Sequence, residues 1–290
     1  MSDSKLQENL TAVDVRTWTG AATLVDPAVP MRLGSLMIAE TRIRGMLKWW
    51  RSVLAFGLGN PVLYLMSVGI GIGSLVDKHM GANGLDHVPY LTFLAPALLV
   101  TAAIQGAMDE VTFPTLQGFN WDRSFYSMNA TAISPRQIVN GVMLAAVARC
   151  VVQVMLYEAA LIAFGAISFT AIPALTIGAI FAGFSFASIM FALSARIKDD
   201  DGVFAIVGRF IITPMFMFSG TYYPLASLPI YLQWIGWISP VWHATQIGRA
   251  LSYGMPIAPE MFMLHVGFLA LLAVVGMSLT YPPFRKRLAN

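Results

Sequence analysis

The chain has 290 residues, 57% of them hydrophobic and only 11% charged. Soluble domains carry about 25% charged residues, so that class is excluded and an all-α integral membrane protein fits. The net charge of +3 does not mark a nucleic-acid binder, because the basic residues flank apolar runs, where they act as topology signals.

The opening stretch "MSDSKLQENLTAVD" is polar, so no cleavable signal peptide is expected, and residues 1–31 read as a cytoplasmic tail. In "RLGSLMIAETRIRGMLKWWRS", Leu36, Ile43, Met46, Leu47 and Trp50 recur at three- and four-residue steps, with Arg42, Arg44 and Lys48 interleaved. That spacing predicts an amphipathic helix along the inner leaflet, held by apolar side chains and anionic lipid. A transmembrane domain over 32–285 follows, and 286–290 form a second cytoplasmic tail.

Apolar runs long enough to cross a bilayer cover residues 52–76, 88–108, 137–166, 173–193, 203–219 and 261–281. Asn60-Pro61 interrupts the first span and Thr213-Pro214 the fifth, and each Pro removes a backbone bond and bends its helix. After the first span, His79 and His87 share a loop with Asp77 and Asp86. No histidine of the chain has a second ligand three or four residues away, so this reads as a solvated loop and no metal site is expected.

Residues 109–137, "DEVTFPTLQGFNWDRSFYSMNATAISPRQ", are the longest inner segment between spans and end in the helix-start pair Ser134-Pro135. No GxxxxGK[ST] phosphate loop occurs, so the chain does not hydrolyse ATP by itself. A transporter without a motor needs an inner surface for one to push, and this segment is the candidate.

The third span carries charge. Arg149 falls about 18 Å into it at 1.5 Å per residue, Gln153 shares its face, and Glu158 lies on the opposite face nearer the outer end. An intramembrane charge is a functional hypothesis by default, which places Arg149 on a substrate path or a subunit interface. The other open reading is a structural bond to backbone carbonyls or to a polar residue of another helix. Arg209, about two turns into the fifth span, snorkels to the inner surface.

Residues 215–248, "MFMFSGTYYPLASLPIYLQWIGWISPVWHATQIG", contain no Asp, Glu, Lys or Arg but are broken by Gly220, Pro224, Pro229, Gly236 and Pro240. Two short helices, near 225–238 and 241–253, are expected to dip into the membrane from the outer face and return. Each is too short to cross, and irregular backbone at that depth must be buried in protein or line a cavity. Tyr222, Tyr223, Tyr231, Trp234, Trp237 and Trp242 suit an interfacial aromatic belt, with His243 beside them. Lys and Arg alternate between rich and poor loops along the chain, which puts both termini in the cytoplasm.

The runs "GNPVLYLMSVGIGIGSLV", "VPYLTFLAPALLVTAAIQGAM", "ATAISPRQIVNG" and "FIITPMFMFSGTYYPLASLPIYLQWIGWISPVWHATQIGRAL" resemble the permease subunits of type-2 ATP-binding-cassette exporters, in particular the nodulation protein J and daunorubicin-resistance permease group. The resemblance covers about residues 35–285. It implies six spans in a cell inner or plasma membrane, a second permease copy in a homodimer, and separate ATPase subunits that bind ATP and Mg. It places a coupling helix at about Thr112–Arg123, including Gln117, Phe119 and Trp121, with Ser134-Pro135 matching a small-residue-Pro element. The usual acidic and basic pattern there reads "LQGFNWDRSF" in this chain. An outer pair of short re-entrant helices falls on 215–248, as a gate formed by Tyr222, Tyr223, Trp234, Trp237, Trp242 and His243. Arg149, Gln153, Glu158 and Asn60 are the candidates for the substrate path or interface. Scarce intramembrane charge and abundant aromatics favour a large amphipathic substrate: a glycolipid, lipo-oligosaccharide, polysaccharide or drug. The competing readings are a self-contained secondary transporter or channel, and an intramembrane enzyme, for which no convergent catalytic groups are found.

Overall fold

The computed structural model describes residues 28–80, 85–199 and 202–289. Residues 1–27, with the polar opening stretch and most of the expected N-terminal tail, lie outside the described residues. Every regular element among the described residues is helical. In chain order these are α1 (Ala28–Leu47); α2 (Trp50–His79); α3 (Tyr90–Val111); and α4 (Phe113–Leu116), which runs into a π turn at Gln117–Trp121. Then come α5 (Ser124–Asn129), α6 (Pro135–Ala163), α7 (Ile172–Ser194) and α8 (Val203–Phe218). The chain closes with α9 (Ile230–Trp237), α10 (Pro240–Tyr253) and α11 (Pro259–Leu288).

Among the described residues, five helical runs are long and apolar enough to cross a membrane: α2, α3 with α4, α6, α7 and α11. The expected fifth span is α8, whose 203–218 run gives about 24 Å at 1.5 Å per residue, short of the roughly 30 Å hydrocarbon core. The expected tail boundaries fall inside helices, since α1 starts at Ala28 and α11 continues to Leu288. The segment expected as an inner loop, 109–137, is largely helical, because α3 is prolonged through a break at Thr112 (φ −92°, ψ −98°).

The centre of the bundle is α3. Phe93, Leu94, Ala95, Ala97, Leu99, Ala103, Ala107 and Val111 are all buried, so apolar residues surround most of the helix, as a core helix requires. It packs against α6, α7 and α10; α7 packs in turn against α11, and α1 lies on α6. Small residues set these distances. A Cβ on Gly183 of α7 would stand 2.7 Å from Cys150 Sγ of α6 and 2.9 Å from the Ala103 carbonyl oxygen of α3. A Cβ on Gly276 of α11 would stand 2.5 Å from a Ser188 backbone carbon of α7. Close backbone approach of this kind is how apolar helices associate where lipid competes for their side chains.

Both expected proline bends lie beside wide turns: a π segment at Leu65–Ile72 follows Pro61, and another at Gly208–Ile212 precedes Pro214. Of the stripe expected to bind α1 to lipid, Leu36, Leu47 and Trp50 are exposed, while Ile43 and Met46 are half-buried. The face that packs on the protein is a different one, Gly34, Ile38 and Ala39.

Gly276→Ala is expected to cost about 1–3 kcal/mol by overpacking, read as a lower Tm in detergent. Gly45→Ala, where nothing lies within 4 Å, should leave Tm unchanged, and an equal loss in both would refute the close-packing account.

Candidate functional site

The helix ends rich in Lys and Arg gather at one end of the bundle, here called the basic end. At that end α2, α3 and α6 line an open cavity of about 710 Å³. Trp49, Val53 and Phe56 supply an apolar wall, while Asn60, Gln105, Asp109, Arg149 and Gln153 supply a polar one. Three of the four residues proposed from sequence for a substrate path, Asn60, Arg149 and Gln153, therefore share one space. Glu158 does not join them. It is buried on the far part of α6, its Oε1 2.7 Å from the Thr176 hydroxyl.

Arg149 forms the bond to a polar residue of another helix that was one of its two open readings. Its guanidinium donates to Asp109 Oδ2 at 3.1 Å and lies 4.0 Å from Glu110 Oε2, both on the last turn of α3. The helices are offset along the bundle, so a residue midway along α6 is level with the end of α3. Arg42 of α1 closes the group with a 2.7 Å bond to Glu110 Oε1, and Gln105 donates to Asp109. Two arginines and two carboxylates thus neutralise each other where α1, α3 and α6 meet.

Beyond α3, Gln117 and Trp121 lie on the exposed side of α4 and its π turn together with Phe113, spaced four residues apart, and Arg123 is exposed after them. Phe119, expected on the same surface, is only 2% exposed. It packs against Phe125 and Phe284, with ring centroids at 4.9 and 4.8 Å, and under the Arg287 guanidinium at 3.8 Å. Thr112 is also buried; its hydroxyl donates to the Met108 carbonyl. A helical extension has an inner and an outer face, and these two residues occupy the inner one. Arg287 additionally donates to Asn120 Oδ1 at 3.0 Å and to the Ile197 carbonyl at 2.8 Å, tying the α4 segment to the ends of α7 and α11. Ser134 caps α6 through a capping box with Gln137, so Pro135 takes the first helical position, where its missing N–H costs nothing.

At the opposite end the expected aromatic belt divides. Trp234 and Trp237 are exposed, as is Tyr231. Tyr222 turns inward instead, its hydroxyl 2.6 Å from Tyr64 Oη and its carbonyl accepting from Tyr90. The Tyr223 hydroxyl donates to the Met217 carbonyl, and burial raises its phenol above the ordinary value, so it remains a donor at neutral pH. His243 is buried and meets His265, Nδ1 to Nδ1 at 2.7 Å, while its Nε2 reaches the Trp237 carbonyl at 2.9 Å. Donation from His243 Nε2 leaves its Nδ1 as the acceptor from His265 when both rings are neutral. This pair, 22 positions apart, has no local spacing signal. Asp77 and Asp86 are engaged by the Tyr90 N–H and the Tyr253 hydroxyl.

Arg249 is 1% exposed on α10. Its guanidinium lies 3.7 Å from the Phe93 ring centroid and donates to the Gly220 carbonyl at 2.8 Å. No carboxylate lies within ion-pair distance of it among the described residues, and its Nε has no partner among them either.

A helical bundle with this many apolar spans, an exposed aromatic surface beyond its basic end and a two-faced cavity defines a membrane transport subunit. Residues 41–253 match the ABC-2 type transporter family, and the chain belongs to it, as a permease of the nodulation protein J group. It is 29% identical over 248 residues to nodulation protein J of Rhizobium leguminosarum bv. viciae, covering 84% of this chain and 92% of that protein. It is 27% identical to nodulation protein J of Rhizobium meliloti strain 1021, covering 84% and 91%.

Burying the Arg249 cation costs several kcal/mol. Its stack on Phe93 returns about 2 kcal/mol and its charged hydrogen bond about 1.5–3 kcal/mol, so the balance is near zero. Arg249→Met is therefore expected to leave Tm nearly unchanged. A large fall in Tm would overturn this balance.

Proposed function

We propose that this chain is the membrane half of an ATP-driven exporter that moves an amphipathic substrate outward, with a separate ATPase as its motor. The observation that carries this reading is the cavity at the basic end. Its apolar wall of Trp49, Val53 and Phe56 suits a lipid-like portion, and its wall of amides and a neutralised ion pair suits a polar head. In this reading ATP and Mg are bound by the partner, in keeping with a sequence that carries no phosphate loop.

In this reading the basic end faces the cytoplasm by the positive-inside rule, in a cell inner or plasma membrane. The exposed row Phe113, Gln117 and Trp121, with Arg123, is the coupling surface against the ATPase, and Ser134-Pro135 fixes the helix beside it. Arg287 carries motion from that surface to α7 and α11. α8 is the sixth span, its short length accommodated by a thinner bilayer or by the partner copy. α9 and α10 are the re-entrant pair: at about 12 and 21 Å neither can cross. Ser239 and Pro240, at their junction, share an apolar cavity with Leu272, 13 positions into α11, which favours a turn placed within the membrane. Two copies forming a homodimer would put the exposed faces of α2 and α8 around one shared path.

Affinity purification in mild detergent should recover a stoichiometric subunit with a phosphate loop, and its absence after crosslinking would sink the reading. Trp121→Ala should weaken ATPase binding by about 30-fold, the loss of a 2 kcal/mol hot spot. Phe119→Ala should instead lower stability by about 3–5 kcal/mol. Arg149→Ala should impair export with ATPase assembly intact; normal export would return Arg149 to a purely structural role.

A further inference from the structure

A second cavity at the basic end, of about 430 Å³, lies apart from the first and is lined by Ser134, Pro135, Arg136, Tyr281, Pro282 and Arg285. Two cations meet there. Arg136 stands over the Tyr281 ring at 5.4 Å, and the Tyr281 hydroxyl donates to Asn140 Oδ1 at 2.7 Å, which fixes the ring against α6. Neither Arg136 nor Arg285 has a carboxylate partner among the described residues, although four such pairs form elsewhere. In the first turn of α6, Pro135 has no N–H, Gln137 N–H is taken by Ser134 Oγ and Ile138 N–H by the Ser134 carbonyl. The Arg136 N–H remains as a further donor.

The height of this cavity in the bundle selects its ligand. In α11, residues 261–284 contain no Asp, Glu, Lys or Arg, so Arg285 is the first charge after the apolar run, at headgroup level. Tyr281, one turn before it, suits the same interface. From Arg285 the same face of α11 runs through Pro282, Ser278, Val274 and Leu271, at steps of three and four residues. Val274 and Leu271 are exposed, and on α6 Asn140 and the exposed Leu144 follow Arg136 at four-residue steps. A docked protein or a free anion would use the arginines alone. The apolar track leading away from them into the membrane is one that acyl chains would use.

We propose that this cavity is a binding site for an anionic phospholipid, with the phosphate held by Arg136 and Arg285 and the acyl chains lying along the α6–α11 seam. Basic pockets between helices at a membrane surface hold such headgroups. The proposal rests on the membrane placement given above but not on export, and its test reads binding rather than transport.

The test compares the Tm of the purified full-length chain in detergent with added phosphatidylglycerol, phosphatidylcholine or inorganic phosphate. Phosphatidylglycerol should raise Tm above the phosphatidylcholine value. The double variant R136Q/R285Q should lose at least half of that difference, and R136K/R285K should keep most of it. R209Q, which removes an exposed arginine of α8, should behave as wild type. Native mass spectrometry should show fewer retained phosphatidylglycerol molecules on the double Gln variant only. An unchanged shift in R136Q/R285Q would overturn the site. So would an equal shift with inorganic phosphate, which would leave the acyl chains no part. Loss of ATPase co-purification in the double variant with lipid binding intact would make the patch a protein-docking surface instead.

Discussion

The structure depends on a single constraint: α3 is buried over most of its length and must be enclosed. Lipid alone would satisfy its side chains, but Gly183 and the row of alanines along α3 let neighbouring backbones come closer than lipid can. α6 and α7 take two sides. The third is taken by α10, an element too short to cross and too polar to sit in lipid, which is stable at that position because α3, α7 and α11 surround it. The pairing of Tyr222 with Tyr64 and Tyr90, and of His243 with His265, follows from that placement.

At the basic end the same helices extend past their apolar portions, and the ionic group of Arg42, Glu110, Arg149 and Asp109 forms where they diverge. It anchors α1 to α3 and α6 and forms the polar wall of the cavity. The basic residues closing α11 then have separate tasks. Arg287 faces inward to Phe119 and Asn120, whereas Arg285, two residues earlier and so on nearly the opposite face of the helix, looks out towards Arg136.

Apolar length and proline position made the long helices and the short pair α9 and α10 readable in sequence, because both depend only on local composition. The Ser134 cap was readable for the same reason. What could not be read depends on how helices sit relative to one another. The partner of Arg149 is set by the offset between α3 and α6. The burial of Phe119 follows from helix continuing past Thr112, where acids, aromatics and a proline read as a loop. The burial of Arg249 could not be read because nothing nearby in sequence shows that Phe93, more than 150 positions away, lies against it. On α1 the apolar pattern picked out side chains left exposed, among them Leu36 and Leu47, while Gly34 and Ala39, too small to stand out in such a pattern, mark the packing face.

The burial of Arg249 also constrains how the chain is assembled. An arginine entering the membrane without its partners faces a steep energetic barrier, and α10 is too short to stay inserted alone. Its two supports, the Phe93 ring and the Gly220 carbonyl, both precede it in the chain, so they are synthesised first. The order of translation therefore matches the order in which the charge can be accommodated: the central helix forms the receptacle, and α10 is seated in it afterwards.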